Sequence, residues 1–360
     1  MDIDVQGLTL NYGDAVAIDN LDLSVADGEA LVLLGQSGCG KTSTMRCIAG
    51  LEAPAAGTIK IGGEVVFDGS KGVSKPSHKR NIGMVFQSYA IWPHLTVFEN
   101  VAFPLVMERK KKAEIQPRVE ETLELVGLSS MSSRGASLLS GGQMQRVALA
   151  RSLVMQPSVL LLDEPLSNLD ARLRDRLRIE LRELQQRLGL TSIYVTHDQE
   201  EALALADKIA LMQGGRIVQI GTPDDIYSRP QSASIADFLG VGNILPADVI
   251  DTTSVRLAGL DRDVAVASMP GSSIDLRACV RAEDIVLGPA GREGTNVFAG
   301  RLTVVSSQGH TVRYQVEAAG GAQFNILGPK STKSDFALHD TVSFFIAPED
   351  VRVLPKEVAA

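Results

Sequence analysis

The chain has 360 residues, of which 35 are basic and 43 acidic, giving a formal net charge of −8. This length predicts two or three domains with a core that needs no disulfide or structural metal, and the acidic balance argues against electrostatic binding to nucleic acid. The three cysteines indicate reduced thiols in the cytoplasm, and we expect neither a signal peptide nor a membrane-spanning segment.

Three short apolar runs predict strands that are covered on both faces, as in a parallel sheet flanked by helices. The runs are Ala30–Leu34, Val159–Leu162 and Ser192–Val195. Between the second and third runs, residues 171–189 place leucines on one helical stripe, with arginine and glutamate on the other face. Strand, helix and strand in this order predict a βαβ unit.

The composition changes near residue 240, where long helical patterns give way to short stretches rich in Val, Thr, Ser and Gly. Frequent turn signals in this second part predict small β domains. Ala282–Leu287 resembles Pro348–Val353, and this weak internal repeat predicts two related β modules. Before the change, Gly214-Gly215 between two apolar runs of Lys208–Ile220 predicts a hairpin.

A glycine-rich loop directly follows the first apolar run. Its sequence, Gly35-Gln36-Ser37-Gly38-Cys39-Gly40-Lys41-Thr42, fits the pattern G-x-x-x-x-G-K-[ST] and precedes the helical pattern Ser43–Leu51. Glycines let backbone N–H groups close around phosphate oxygens, and the helix N-terminus adds the positive end of its dipole. In this motif the lysine reaches the β- and γ-phosphates and the threonine hydroxyl binds Mg²⁺. The predicted nucleotide-binding residues are Gly35, Ser37, Gly38, Cys39, Gly40, Lys41, Thr42 and Ser43.

Two acidic residues end the second apolar run. Asp163 directly follows the predicted strand Val159–Leu162, where a phosphate-binding fold needs a carboxylate for Mg²⁺. Glu164 points differently and is the candidate general base for a water in line with the γ-phosphate. Such a pair is often only a strand end that turns into solvent, but its presence together with Lys41 favours the catalytic interpretation.

A third segment, Leu139-Ser140-Gly141-Gly142-Gln143, opens another helical pattern before Asp163. Ser140 and the amides of the two glycines at a helix N-terminus form a second surface suited to phosphate. Together with the glycine-rich loop and the Asp163-Glu164 pair, this segment resembles the ATP-binding-cassette (ABC) ATPases. The resemblance covers the first two thirds of the chain and implies ATP and Mg²⁺ as cofactors.

Four more positions match this family in the correct order. Tyr12 stands where the family stacks an aromatic ring on adenine, and Gln87 ends a segment that matches its Q-loop. Asp170 ends Ser167-Asn168-Leu169-Asp170, which matches the D-loop, and His197 matches the switch histidine. The resemblance implies that Glu164, His197, Gln87 and Lys41 are catalytic, that Thr42, Gln87 and Asp163 bind the metal, and that Tyr12, Ser140, Gly141, Gly142, Gln143 and Asp170 also contact ATP.

The resemblance implies an α/β fold with a P-loop (RecA-like) parallel sheet core, an antiparallel β subdomain and a helical subdomain, followed by an all-β OB/TOBE-like domain. It implies a nucleotide-binding domain at 1–236, with the helical subdomain at about 88–155, and a β-barrel regulatory domain at 237–360. It further implies a homodimer in which the Ser140 segment of one subunit faces the γ-phosphate held by Lys41 of the other.

Three functions compete: an ATPase subunit that energises a membrane transporter, a soluble ABC protein acting on ribosomes or DNA, and an ATPase with an attached OB-type nucleic-acid-binding module. Ribosome-type relatives usually carry two cassettes, whereas this chain has one phosphate loop. DNA-repair relatives contain a long coiled-coil insertion, and none separates Gln87 from Ser140. Residues 243–360 are net acidic with few aromatics, unlike a nucleic-acid-binding surface.

The segment Ile217–Tyr227, followed by Arg229-Pro230, resembles the cassette end of bacterial importer ATPases. It implies solute import from the cytoplasmic face of the cell membrane, with two integral-membrane permease subunits, an extracytoplasmic solute-binding protein and no nucleic acid. The segment Ala236–Gly240 with Asn243 is more similar to ferric-iron, polyamine and phosphonate-type importers, and a sugar-type importer is the alternative.

The segment after Gln87 carries the only tryptophan of the chain. In the ABC family this stretch forms part of the cleft that receives a cytoplasmic helix of the membrane subunit, so Trp92, Pro93 and His94 are candidate docking residues. The alternative for the aromatic residues is ordinary core packing.

Overall fold

The computed structural model describes residues 1–271 and 275–357. The chain divides into two compact units, Met1–Ser228 and Arg229–Ala360. The strands of the first unit are β1 (Ile3–Tyr12), β2 (Ala15–Val25), β3 (Ala30–Gly35), β4 (Ala56–Ile61), β5 (Glu64–Asp68), β6 (Val73–Ser74), β7 (Ile82–Val85), β8 (Val159–Asp163), β9 (Thr191–Thr196), β10 (Lys208–Gln213) and β11 (Arg216–Gly221). Its helices are α1 (Lys41–Ala49), α2 (Val97–Met107), α3 (Lys112–Leu125), α4 (Gly141–Leu153), α5 (Ala171–Leu188), α6 (Gln199–Leu205) and α7 (Pro223–Ser228).

The sheet that positions the site has the order β11-β10-β3-β9-β8-β7 and is parallel except for β11. Strands β3, β8 and β9 are buried along their whole length, which explains their continuous apolar sequence. The predicted strands, the βαβ unit through α5 and the β10–β11 hairpin are confirmed. Because parallel strands end at the same edge, the residues that follow β3, β8 and β9 gather there.

A second sheet of the first unit is antiparallel, with the order β2-β1-β4-β5-β6. In its register Ile3 on β1 lies opposite Val25 on one side and Ile61 on the other. Its buried residues share a hydrophobic core with the parallel sheet and with Met45 and Ile48 of α1. This sheet is the antiparallel β subdomain that the resemblance implies.

Helices α2, α3 and α4 lie between β7 and β8 and contact one another. Thr96 caps α2, since Glu99 N–H donates to its hydroxyl and its own N–H donates to the Glu99 carboxylate. In α5, Leu177 and Leu184 of the predicted leucine stripe are buried, whereas Leu188 is exposed.

The second unit begins with α8 (Ala233–Phe238) and is otherwise built of strands and short 3₁₀ turns. Its strands are β12 (Asn243–Val249), β13 (Ser254–Leu257), β14 (Val264–Ala265), β15 (Leu276–Val280), β16 (Ile285–Pro289), β17 (Val297–Gln308), β18 (Thr311–Ala318), β19 (Gln323–Pro329), β20 (Thr341–Ile346) and β21 (Arg352–Pro355). One sheet has the order β14-β13-β12-β15-β21 and the other β16-β20-β17-β18-β19.

The internal repeat has a structural counterpart. Ala282–Asp284 and Pro348–Asp350 both form a 3₁₀ turn that leads into a strand, β16 in one sheet and β21 in the other. One hydrophobic core nevertheless contains buried residues of both sheets. The two sheets therefore pack around a shared core, with one copy of the repeat leading into each sheet.

The structure also places the domain boundary earlier than residue 236. Ser232 caps α8, whose Ala233 and Ala236 pack with Val241 and Cys279 of the second unit. A boundary after 236 would cut this helix, so the chain divides after Ser228 instead. Within the described residues, no helix combines the length and the apolar character needed to cross a membrane.

Candidate active site

The glycine-rich loop connects β3 to the first turn of α1. Gly40 has φ 102°, and a Cβ there would lie 2.6 Å from the carbonyl oxygen of Ala17. A Cβ on Gly35 would lie 2.4 Å from the carbonyl oxygen of Met212. Both positions therefore require glycine for steric reasons, and the loop can curl tightly ahead of the helix N-terminus. Ser37 and Gly38 are exposed in this loop, and Ser43 lies in the first turn of α1.

Lys41 lies inside the curl of this loop. Only 5% of its surface is exposed, and its Nζ donates to the carbonyl oxygens of Gly35 at 2.7 Å and Gln36 at 2.9 Å. The Sγ of Cys39 lies 3.7 Å from the same ammonium. The loop backbone thus holds a buried positive charge beside its own N–H groups, which is the electrostatic setting that a polyphosphate needs.

Thr42 and Asp163 come together at the C-terminal end of β8. The Thr42 hydroxyl donates to Asp163 Oδ1 at 3.0 Å, and Asp163 is buried. Burial raises the pKa of the Asp163 carboxyl, and the hydrogen bond from Thr42 lowers it in part. A desolvated carboxylate beside a hydroxyl oxygen gains stability from a nearby cation, and oxygen ligands of this kind suit Mg²⁺.

Glu164 directly follows β8 in a strained backbone conformation. Its φ is 42°, a left-handed value that non-glycine residues rarely adopt. Its N–H donates to the carbonyl oxygen of Val195 on β9, and its own carbonyl accepts the Ser167 hydroxyl at 2.9 Å. The two carboxylates have different side-chain partners, since Asp163 contacts Thr42 whereas Glu164 contacts Gln87 and His197.

Gln87 and His197 meet at the Glu164 carboxylate. Gln87 Nε2 donates to Glu164 Oε2 at 3.1 Å, and His197 Nδ1 lies 3.2 Å from Glu164 Oε1. Gln87 and His197 are exposed, whereas 18% of the Glu164 side chain is accessible. The structure therefore brings three of the four predicted catalytic residues into one cluster at the edge of the parallel sheet.

Residues of the segment after Glu164 support this cluster. The Ser167 hydroxyl accepts Gln87 Nε2 at 3.4 Å, and Asn168 Nδ2 donates to the Gln87 carbonyl at 2.8 Å. The Asp170 carboxylate, which we expected to contact ATP, accepts Leu173 N–H at 3.1 Å and caps α5. Ser167 and Asn168 lie in the segment that matches the D-loop, but no sequence pattern gave either residue a separate function.

The Ser140 segment occupies the N-terminus of α4, as predicted. Gln143 Oε1 accepts the Ser140 N–H at 3.0 Å. A Cβ on Gly142 would lie 3.0 Å from Leu173, and one on Gly141 3.1 Å from Leu169, so both glycines permit close packing against the start of α5. Within the described part of the chain, no hydrogen bond joins this segment to the glycine-rich loop.

Two further predicted contact regions are exposed. Tyr12 ends β1 with 50% of its surface accessible. Pro93 and His94 are exposed, whereas Trp92 is half-buried, with its ring 4.2 Å from that of Phe103. Packing against Phe103 therefore explains why part of the Trp92 side chain is buried, whereas Pro93 and His94 are accessible at the surface.

The site combines a glycine-rich loop curled around a lysine with a buried carboxylate. It also contains a strained glutamate beside a glutamine and a histidine. These features define a phosphate-loop nucleotide hydrolase. The ABC transporter family matches residues 18–167, and the TOBE domain family matches residues 278–354. The relative named "Fe(3+) ions import ATP-binding protein FbpC" in Brucella melitensis is 47% identical over 324 residues, 89% of this chain and 88% of its own length. The chain belongs to the ABC transporter family, as an ATP-binding ATPase with a C-terminal TOBE domain.

Other relatives differ in coverage. FbpC of Rhizobium etli is 47% identical over 89% of each chain. The "Trehalose/maltose import ATP-binding protein MalK" of Thermococcus litoralis is 52% identical, but over 64% of this chain and 62% of its own length. The solved structure of cbiO1 from Clostridium perfringens, part of the ABC transporter complex cbiONQ, has a TM-score of 0.57, with 31% identity over 63% of this chain and 90% of that chain. The predicted family and fold class are confirmed.

Proposed function

We propose that this chain hydrolyses ATP to energise ferric-iron import through a membrane transporter. The observation that carries the proposal is the match of the iron-import relatives over 89% of the chain, which takes in residues of both units. The alternative is sugar import, favoured by the 52% identity of the MalK relative, whose match covers 64% of the chain. The longer match of the FbpC relatives favours ferric iron as the transported substrate.

ATP would bind with its phosphates in the glycine-rich loop, where Lys41 offers a buried positive charge. The Tyr12 ring is exposed and free to stack on adenine. Thr42 and Asp163 would hold Mg²⁺, with Gln87 as a further oxygen ligand, because their oxygens fit a hard divalent cation. The ion supplies charge neutralisation at the β- and γ-phosphates.

Glu164 would act as the general base. Its carboxylate already accepts from Gln87, and His197 lies at its other oxygen. A water held between this carboxylate and the γ-phosphate would lose its proton to Glu164 as it attacks. Lys41, Gln87 and His197 would then stabilise the charge that develops on the transferring phosphoryl group.

The Ser140 segment would serve the site of a second copy. Its helix N-terminus suits phosphate, yet within the described residues it makes no hydrogen bond to the glycine-rich loop of its own chain. Two copies arranged head to tail would enclose two ATP molecules, each between one Lys41 and the Ser140 segment of the partner.

Ser140→Arg tests this arrangement. We expect the variant to bind ATP as a monomer with a Kd within about twofold of that of the unmodified chain, because the glycine-rich loop is untouched. The ATP-dependent dimer should be lost and turnover should fall by at least about tenfold, because the arginine side chain would occupy the surface that faces the phosphate. Nucleotide titration and light scattering measure the two effects. Equal loss of ATP binding by the monomer would contradict a shared site.

The partners would be two integral-membrane permease subunits, contacted through the exposed Pro93 and His94, and an extracytoplasmic solute-binding protein. The chain would then lie at the cytoplasmic face of the cell membrane. Purification from gently solubilised native membranes, followed by mass spectrometry, should recover two integral-membrane proteins. Ribosomal companions, or none, would move the function to a soluble ABC protein.

Uptake by cells that lack the gene tests the substrate. We expect complementation with the unmodified chain to restore uptake of radiolabelled ferric iron, and complementation with Glu164→Gln not to restore it. Labelled maltose and trehalose are the matched controls. They should enter at the same rate in cells complemented with the unmodified chain and in cells complemented with Glu164→Gln. Restoration of sugar uptake with unchanged iron uptake would establish the alternative.

A further inference from the structure

Two consecutive residues after Gln87 have a backbone conformation that their side chains disfavour. Tyr89 has φ 61° and Ala90 has φ 47°. An L-residue in this left-handed region brings its Cβ close to the following carbonyl oxygen, and glycine alone escapes that penalty. Surrounding contacts must therefore hold this segment in place.

Arg151, on the last turn of α4, provides those contacts. Its two terminal nitrogens donate to the two strained carbonyls, Nη1 to Ala90 O at 2.6 Å and Nη2 to Tyr89 O at 2.8 Å. A planar guanidinium can reach two adjacent acceptors at once, which a lysine ammonium cannot do with the same geometry.

Aromatic packing fixes the guanidinium from its other side. The Arg151 carbon Cζ lies 4.8 Å from the centroid of the Trp92 ring, a cation–π distance. The Trp92 backbone is held in turn by fully buried Asn100, which accepts Trp92 N–H at 2.9 Å and donates to its carbonyl at 3.1 Å. The segment between Gln87 and α2 is thus clamped by two helices.

This clamp joins two parts of the site through one helix. At its N-terminus α4 carries the Ser140 segment, and at its C-terminal end Arg151 holds Tyr89 and Ala90, which are separated from Gln87 by Ser88 alone. Gln87 itself contacts Glu164 through Nε2. We propose that Arg151 is a positioning residue for hydrolysis, which keeps Gln87 at Glu164 by holding Tyr89 and Ala90 in the left-handed conformation.

The inference rests on the proposed contribution of Gln87 to turnover, and it predicts a specific rescue. Arg151→Ala should lower kcat about tenfold or more, the scale of a small displacement near reacting groups, with little change in the KM for ATP because the glycine-rich loop is untouched. Ala90→Gly, which removes the steric penalty at one of the two residues, should restore kcat at least about threefold in the Arg151→Ala background.

Gln156→Gly is the matched control. Gln156 also has a positive φ, 51°, but Arg151 donates to other residues, so this change should relieve strain without restoring kcat. Equal rescue by Gln156→Gly, no rescue by Ala90→Gly, or an unchanged kcat in Arg151→Ala would overturn the proposal. If thermal melting shows that Arg151→Ala does not fold, Arg151→Lys with and without Ala90→Gly provides the same comparison.

The outcome is separable from that of the proposed chemistry. Near-normal turnover of Glu164→Gln would contradict the assignment of Glu164 as the general base. The rescue experiment would still test the role of Arg151 independently. If Glu164→Gln inactivates the protein but Ala90→Gly does not restore activity to Arg151→Ala, the proposal for Arg151 fails and the proposed catalytic chemistry stands.

Discussion

Glu164→Gln is expected to bind ATP with unchanged affinity and to hydrolyse it at least about a hundredfold more slowly, the scale expected for loss of a general base. Glutamine preserves the shape of the side chain, so the strained backbone at φ 42° and the packing around it should persist. It cannot take up a proton from water at neutral pH, and the step that consumes ATP should stall. Two copies should then remain closed around the unhydrolysed nucleotide.

The measurements are steady-state ATPase turnover, ATP titration and size-exclusion chromatography with and without ATP. Glu183→Gln is the matched control, because Glu183 is exposed on α5 and makes the same change of charge away from the cluster. It should turn over at the normal rate and show no trapped dimer. Near-normal turnover of Glu164→Gln without a dimer would assign the base to another group.

The candidate site residues that the sequence indicates directly are those that lie in contiguous motifs. The loop before Lys41 and the end of β8 are read from local patterns, because a fully buried strand followed by a polar turn has a recognisable sequence. The position of Gln87 against Glu164 also follows once β7 and β8 are neighbours, since their register places Val85 beside Leu162. Family resemblance supplied His197, which no local pattern marks.

The structural roles of several arginines could not be predicted from the sequence. On the arginine- and glutamate-rich face of α5, Arg174 donates to the carbonyl of Leu169 at 3.0 Å and pairs with Asp198 at 3.3 Å. Arg151 contacts carbonyls about sixty residues away in the chain. Backbone carbonyls carry no sequence signal, so a side chain that binds them can be recognised only after the chain has folded.

Arg80 is the clearest case of such a concealed residue. It is 4% exposed, and its guanidinium donates to the carbonyls of Cys47 and Ile48 at 2.9 Å and of Lys75 at 2.8 Å. Two of these carbonyls belong to the last turn of α1, where the Cys47 oxygen also accepts the Gly50 N–H at 3.1 Å and where the helix dipole favours a positive charge. Arg80 therefore caps the helix whose first turn carries Lys41.

Arg80→Met should lower the free energy of unfolding by about 3 kcal/mol, because it removes the guanidinium donors of three backbone carbonyls while keeping much of the side-chain volume. Gly50 shows how closely the guanidinium is held, since a Cβ there would lie 2.5 Å from Arg80 Nε. Denaturant unfolding measures the change, and ATP affinity should fall with it because α1 carries the loop lysine.

Arg46→Met is the control from the same helix end. The Arg46 side chain is 45% exposed and its nitrogen lies 3.9 Å from Glu52, so its loss should cost no more than about 0.5 kcal/mol. A difference of several kcal/mol between the two variants would establish that the cap, rather than positive charge near α1, stabilises the helix. Equal effects would show that the charge is sufficient and that the three carbonyl contacts of Arg80 contribute nothing specific.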